Sequence, residues 1–517
     1  MRKIRILWTD DEIEVLKPHI IFLNEKGYEV DTCSNGLDTL DMVVKKNYDL
    51  IFLDENMPGL SGIDTLKGIK ELNPETPVVM ITKSEEENIM EAAIGSKIAD
   101  YLIKPVKPTQ ILLSIKKILE SAKLVTARTT TNYQAEFGNI RSLIDQAKDC
   151  DDWSDIYKKI TYWDMQLDNA DDPNLREIQK MQEQEANNAF VKFVSNNYLS
   201  WFGASENKKP LLSPAVLNSK VFPLLKAKEK VFLIVIDNLR YDQWKVISRE
   251  MGQMVRVIDE SVYYSILPTV TQYSRNALFS GMMPYEISSS CKEFWVADDA
   301  DEGKNNYERE LLEQQLKRHS IKCKWSYSKI SNNSSGKKVN DNFTRHLDND
   351  LTVLVYNFID LLSHARTDTS VLRDISNDEP AYRTLTRSWF VHSPLLNLIR
   401  MLAGKQVRIV ITTDHGTIRV SNPVKVVGDR KTSANLRYKL GRNLDYDPSE
   451  VFEIANPREA HLPLSNISSR YIFARNYDFF VYPNNYNHFV NYYRNTFQHG
   501  GISMQEMLVP VITLEPL

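Results

Sequence analysis

The stretch Val407–Gly416, VRIVITTDHG, decides how this chain is read. Its apolar, β-branched first part has the composition of a buried strand, and it stops abruptly at a carboxylate, an imidazole and a glycine. Desolvating an unpaired carboxylate is costly, so a strand tip that delivers Asp414 and His415 together implies a cation beside them. The pattern recurs. VFLIVID ends in Asp237, LTVLVYNFID ends in Asp360 with His364 four residues on, and His499 stands in FQHGGISMQEMLVP before the last strand-like run. Asp360, His364 and His499 make a three-ligand set with a position left open, the arrangement of catalytic rather than structural zinc. Asp237, Asp414 and His415 make a second set, and two neighbouring ions stabilise the attacking and leaving oxygens of a displacement at phosphorus. His392, His461 and His488 fit neither set and read as structural or peripheral.

A nucleophile is expected between the first two acidic strands. There ILPTVTQYSRNALFSG runs from a Pro-Thr-x-Thr turn into a helical pattern. A hydroxyl at such a helix start sits in positive potential that suits a bound phosphate. Thr271 is the choice, coordinated to the second ion, and Thr269 and Ser274 are the alternatives. Further on, DRKTSANLRYKLGRNL clusters Arg430, Lys431, Arg437 and Lys439 with Tyr438 among them. This reads either as a grip on a second phosphate and base of a nucleotide or oligonucleotide, or as a solvated basic loop.

The first 122 residues have a regular beat of strands and amphipathic helices: KIRILW, YEVDTC, DLIFLD, PVVMIT and DYLIKP alternate with stretches such as GIDTLKGIKELN. That beat predicts a doubly wound parallel sheet, whose chemistry gathers at the carboxyl ends of the strands. Asp10 and Asp11 end the first strand, Asp54 the third, Thr82 the fourth, and Lys104 the fifth. Three carboxylates on one rim call for a hard divalent cation, and magnesium suits oxygen ligands. Asp54 can then act as nucleophile toward a phosphoryl group, with Lys104 answering the charge on its oxygens.

DD, DENMPG, T and YLIKP at these spacings resemble the receiver domain of two-component response regulators. The resemblance implies phosphorylation of Asp54 by a sensor histidine kinase or a small phosphodonor. It also implies a magnesium ligand from the backbone of Asn56, and a switch pair of Thr82 and Tyr101. Lys83 departs from the pattern, since many receivers keep a small residue there.

The order strand-Asp, hydroxyl, Asp-x-x-x-His, Asp-His-Gly, His-Gly-Gly resembles the alkaline phosphatase superfamily, and IDNLRYDQW with HGGISMQEMLVP resembles its PglZ branch. This implies two zinc ions, with manganese the minority option, and a covalent phosphothreonine. A threonine nucleophile is shared with phosphodiesterase relatives, which favours diesters.

Residues 123–205 are different again: glycine-poor, helical in spacing, with Trp153, Trp163 and Trp201 asking for a packing surface. The reading is therefore an α/β chain in three parts. A (βα)5 receiver spans 1–122, a helical spacer bundle 123–205, and a PglZ, alkaline-phosphatase-like α/β domain 206–517, in which SKISNNSSGKKVNDN is a polar surface loop. The assembly resembles the PorX-like response regulators tied to type 9 secretion. That implies control of secretion genes through a sigma factor, and a homodimer formed on phosphorylation through the Tyr101 face. A competing reading keeps the metals for structure and makes the phosphatase-like domain a scaffold for a partner protein.

The totals agree. A net charge of −4 argues against a whole-protein polyanion binder, and no helix-turn-helix signature points to direct DNA reading. Four scattered cysteines read as thiols of a reducing compartment. With no signal-peptide core and no apolar run approaching ~20 residues, a cytoplasmic protein without membrane insertion is expected.

Overall fold

The computed structural model describes residues 4–517 except 75, 84–97, 169–172, 204–208, 298–302, 369–377, 430–431 and 465–467. The chain divides into two compact units, residues 1–132 and 133–517.

In the first unit β1 (Arg5–Thr9), β2 (Glu29–Cys33), β3 (Leu50–Asp54), β4 (Val78–Thr82) and β5 (Asp100–Ile103) form one parallel sheet in the order β2-β1-β3-β4-β5. The central strand β3 and its neighbour β4 are buried throughout. Side chains alternate across the sheet, so Leu7, Ile51, Leu53 and Met80 fill one face while Ile6, Trp8, Phe52 and Ile81 fill the other. Helices cover both faces. Two of them start where a side chain satisfies an orphan N–H: Asn35 caps Asp38, and Ser61 caps Asp64.

The second unit is built on a six-stranded mixed sheet. Its strands are β6 (Val231–Ile236), β7 (Val255–Tyr264), β8 (Trp325–Ile330), β9 (Leu351–Tyr356), β10 (Arg408–Thr412) and β18 (Leu508–Pro516), ordered β7-β18-β10-β6-β9-β8. β10, β6, β9 and β8 run parallel, and β18 is antiparallel to both its neighbours. Smaller pairings lie beyond the sheet. β11 (Ile418–Arg419) joins β17 (Phe497–Gln498), and β12 (Asn422–Lys425) joins β16 (Asp478–Val481). β13 (Tyr438–Gly441), β15 (Arg470–Ala474) and β14 (Val451–Ile454) form an antiparallel trio.

The helices Cys150–Leu167 and Pro173–Asn197 belong to this unit's main core. Trp153, Phe190 and Trp201 pack in one cluster with Phe232, Ile234, Tyr264 and Ile411. Polar bonds fix the contact: Tyr264 O–H donates to the Cys150 carbonyl, and Leu267 N–H to the Tyr198 hydroxyl, both at 2.8 Å. Arg383 reaches Asp164 at 2.6 Å and Asp168 at 2.7 Å. The tryptophans thus find their packing surface on the sheet that follows them.

One expectation fails. SKISNNSSGKKVNDN is not a loop: it holds the end of β8 and a helix, Asn333–Asp341. Asn332 caps that helix by accepting from Ser335 N–H at 2.9 Å. Gly336 lets it lie on Pro394, which a Cβ would meet at 2.9 Å. Polar composition hid a capped helix with a single buried apolar contact, Val339.

Among the described residues no helix is long and apolar enough to cross a membrane.

Candidate functional site

Both sheets present their chemistry at the carboxyl ends of parallel strands. In the first unit Asp10, Asp11 and Asp54 bring ligand atoms within 4.8 Å of one another. Lys104, just past β5, bonds Asp10 at 2.7 Å and Asp54 at 3.0 Å. Burial pushes the Asp54 carboxyl up, Lys104 opposes this, and Asp10 and Asp11 add to it. Burial works against the Lys104 charge, yet its two carboxylate partners lift its pKa. Thr82 is fully buried at the end of β4. Tyr101 is half-buried in β5, and Asn56 is exposed two residues after Asp54. Lys83 spans 2.8 Å to Glu12, so its ammonium is anchored over the edge of this rim.

In the second unit the two expected sets assemble: Asp360, His364 and His499 form one cluster of ligand atoms within 4.8 Å, and Asp237, Asp414 and His415 another. Both imidazoles of the first set aim Nε2 at the same Asp360 oxygen, His364 at 3.5 Å and His499 at 3.6 Å. In the second set His415 Nε2 lies 3.9 Å from Asp237 and 3.7 Å from Asp414. The rings of His415 and His499 stack with centroids 4.3 Å apart, joining the two sets.

The outer bonds of these histidines fix their tautomers. His415 Nδ1 faces the Gly416 carbonyl at 3.1 Å, and His499 Nδ1 the Thr269 carbonyl at 3.2 Å. A carbonyl only accepts, so each Nδ1 carries the proton and each Nε2 lone pair is free for a ligand. The glycines of DHG and HGG have steric reasons to be there. A Cβ on Gly416 would meet the Gln505 carbonyl oxygen at 2.0 Å, and Gly500 has φ +126°.

The electrostatics of the bare cluster suit a cation. Burial and neighbouring Asp237 push Asp414 up to about 6. Burial also raises Asp360. Burial opposes ionisation of Asp237 as well, but Arg275 and His415 hold it below the usual range. Asp414 Oδ2 is buried without a hydrogen-bond donor. Mixed nitrogen and oxygen donors, two of them preset imidazoles, fit divalent metals of the zinc type, whereas the all-oxygen rim of the first unit fits a hard cation.

Thr271 begins the helix Thr271–Ser280. Its hydroxyl lies 3.2 Å from His415 Nε2 and 3.4 Å from Asp237. The alternative hydroxyls are committed elsewhere. Thr269 bonds the Gly501 carbonyl and Gly500 N–H, and Ser274 the carbonyls of Ile266 and Pro268, and both are buried. A cavity of about 490 Å³ opens at Thr271, His364 and His499, with Gln272, Lys304 and Asn435 on its walls.

Of the expected phosphate grip, Arg437 and Lys439 are corrected. Arg437 is fully buried, its guanidinium bonded to Glu506 at 2.6 Å, and presents no charge to a ligand. Lys439 is 1% exposed, its ammonium on the Ser433 carbonyl at 2.9 Å and over the Tyr482 ring. Arg430 and Lys431 lie outside the described residues. Among the described residues, the lysine on the cavity wall is Lys304.

Two further residues escaped sequence reasoning. Arg275, fully buried one turn into the helix, bonds Asp237 at 2.8 Å and Glu308 at 2.8 Å. Asn238 takes positive φ (64°), which Asn tolerates better than most residues. Its amide donates to Asp360 at 3.3 Å and to Ser363 at 3.2 Å. The only sequence signal for either was proximity to a predicted ligand or nucleophile.

Three family models match the chain. They are the response regulator receiver domain over residues 6–116, the PorX response regulator linker domain over 123–202, and the BREX system PglZ alkaline phosphatase-like domain over 216–514. The chain is similar to the transcriptional regulatory protein ZraR of Klebsiella oxytoca, 33% identical over 138 residues, 27% of this chain and 31% of that protein. It is also similar to the transcriptional regulatory protein ResD of Bacillus subtilis, 33% identical over 118 residues, 23% of this chain and 49% of that protein. The chain thus spans half or less of the length of these curated relatives. Among solved structures, the chemotaxis protein CheY4 of Vibrio cholerae aligns at 26% identity over 23% of this chain and all of that one, with a TM-score of 0.22. With more than half its length in the third match, the chain belongs to the PglZ alkaline phosphatase-like family, and its receiver and linker matches complete the architecture of a PorX-like response regulator.

Proposed function

We propose that this chain is a response regulator in which phosphorylation of Asp54 governs a two-zinc phosphodiesterase using Thr271 as nucleophile. The observation that carries the enzymatic half is the Thr271 hydroxyl, set between Asp237 and His415 where a 490 Å³ cavity meets two three-residue clusters. Asp237, Asp414 and His415 would hold one ion, with Thr271 joining them, and Asp360, His364 and His499 the other. When bound, the ions supply positive charge to the phosphate oxygens and make the threonine hydroxyl easier to deprotonate.

The chain's own groups do the rest. The helix N-terminus at Thr271 favours the phosphate. Arg275 holds the Asp237 carboxylate and so positions it. In the first half-reaction the Thr271 oxygen bonds to phosphorus as the bond to the leaving alcohol breaks, and that alcohol takes up a proton. Water then cleaves the phosphothreonine, releasing a phosphomonoester and restoring the hydroxyl. The cavity walls, which mix the amides Gln272, Asn305, Asn435 and Gln498 with Lys304 and the Tyr438 ring, suit a nucleotide or short oligonucleotide diester. In the first unit Asp10, Asp11, Asp54 and the Asn56 carbonyl would hold magnesium. A sensor histidine kinase would supply the phosphoryl group, Thr82 and Tyr101 would report it, and a homodimer would form in response. Control of type 9 secretion genes, with a sigma factor as intermediary, is the output this architecture suggests.

The test measures zinc content and hydrolysis of a chromogenic phosphodiester and monoester by wild type and Thr271→Ala, with and without acetyl phosphate. Diester turnover lost by at least a thousandfold in the variant, with zinc retained, is expected. Bound zinc with no turnover of either ester, nor of short oligonucleotides, would overturn the enzyme in favour of the scaffold reading.

A further inference from the structure

The six-stranded sheet ends on one side at β8, which pairs with β9 and, among the described residues, with no other strand. Leu351 and Asn357 N–H groups donate to the Lys324 and Ile330 carbonyls, so the even-numbered residues of this edge face β9. The N–H and C=O of one residue share a direction that alternates along a strand. Trp325, Tyr327 and Lys329 therefore turn their amides to the open side.

A groove of about 620 Å³ lies along that edge, between β8 and the helices Asn333–Asp341 and Phe343–Leu347. Its lining carries Lys324, Lys329, Lys338 and Arg345 and no carboxylate. Lys324, Lys338 and Arg345 are exposed, and none has an acidic partner within ion-pair distance among the described residues. Proteins guard open edges with lysine, but the ammonium of Lys329 on the strand itself is drawn to Glu308 at 3.4 Å and the Asn305 carbonyl at 3.2 Å. Lys338 and Arg345 stand on the helices, where guarding an edge has no use for them. Ile330 and Val339 give the groove an apolar floor.

We propose that this edge docks an extended acidic segment of a partner protein, added as a further strand beside β8 with its carboxylates over Lys338 and Arg345. Main-chain bonds to Trp325, Tyr327 and Lys329 would supply affinity. The period-2 placement of acidic side chains against the two helix cations would supply specificity. The surface is independent of the metal clusters and of the reading given to them.

The probe is a fluorescein-labelled decapeptide of alternating Glu and Val, titrated against the full chain by fluorescence anisotropy at low and high salt. Saturable binding that weakens with salt is expected. The double variant Lys338→Glu/Arg345→Glu should weaken it at least tenfold with an unchanged melting temperature. N-methylation of alternate peptide amides should weaken it as much, and a Lys/Val decapeptide should not bind. Equal binding by the double variant, or by the N-methylated peptide, would overturn the proposal. Binding of single-stranded DNA through Lys338 and Arg345 in place of the peptide would overturn it in favour of a nucleic-acid groove.

Discussion

Two sheet rims in this chain gather carboxylates, and two lysines show how differently the surroundings treat a buried charge. In the first unit Lys104 stands between Asp10 and Asp54, its side chain 12% exposed, and its pKa is raised. In the second unit Lys439 is as deeply placed, with a carbonyl and a ring as neighbours, and burial lowers its pKa to about 8. The second unit's rim is answered instead by Arg275, which cannot lose its proton. Carboxylate partners therefore hold the charge of Lys104 on the first rim, and a guanidinium bonds Asp237 in the second unit's cluster. The lysine without a carboxylate partner is the one whose charge burial weakens.

Four substitutions test that contrast. Asp237→Asn should have the largest effect. It removes a ligand and leaves Arg275 underpaired in the interior, at a cost of about 3–5 kcal/mol. Calorimetry, metal analysis and diester assays should all register it, and an unchanged melting temperature would show that Arg275 is not held by Asp237. Next, Lys439→Met should stabilise the protein at pH 7 by up to about 3 kcal/mol, the value of a shift from 10.5 to about 8. The sign follows from proton counting. Between about 8 and 10.5 the unfolded chain binds the extra proton, so wild-type stability rises with pH there and the variant's advantage shrinks. Denaturant melts at pH 7 and 10 check this, and diester turnover should not change. An advantage that does not shrink at pH 10 would mean the ammonium is not the source.

Asp54→Asn should be smaller and opposite in sign to Asp237→Asn. Its raised folded-state pKa means the native state holds the proton more tightly than the unfolded chain, so the ionised aspartate costs stability as pH rises above the usual Asp value of 3.8. The amide variant should be more stable than wild type at pH 7 and less so near pH 4, lose all labelling by acetyl phosphate, and leave the metal content unchanged. A loss of stability at pH 7 would break the contrast between the rims. Smallest is Lys83→Ala, which removes a solvent-screened surface pair with Glu12. Melting should barely move, while the lifetime of the phosphorylated form, followed by loss of label, should change severalfold.

The strand tips were legible because an apolar run that halts at an acid leaves few innocent explanations, and Asp10, Asp54, Asp237 and Asp414 lie at or just past strand ends. Asp360 does not, because β9 stops at Tyr356 and Asp360 stands in the first turn of the helix Phe358–Asp368. What was not legible is non-local. Arg437 looked like part of a basic loop because its partner, Glu506, is 69 residues away. Arg275 looked like an ordinary polar position of a helix, and only the fold turns it under Asp237. The helix at Asn333 was missed because its cap and its bed on Pro394 are features of space rather than of composition.

The helix Pro173–Asn197 also fastens the segment that follows His499. Asn187 accepts from Met504 N–H at 2.9 Å and donates to Gln505 at 3.0 Å, and Glu183 accepts from the Gln505 amide. The Gln505 carbonyl leaves no room for a side chain at Gly416, and Glu506 takes the Gly416 N–H at 3.1 Å. In evolutionary terms these positions are not free to drift separately. A lineage that changes Asn187 gives up the bonds that hold Met504 and the Gln505 side chain to the linker helix, so covariation of residues 187 and 505 across relatives is expected. A linker taken from one such protein should then function in another only when residue 505 travels with it.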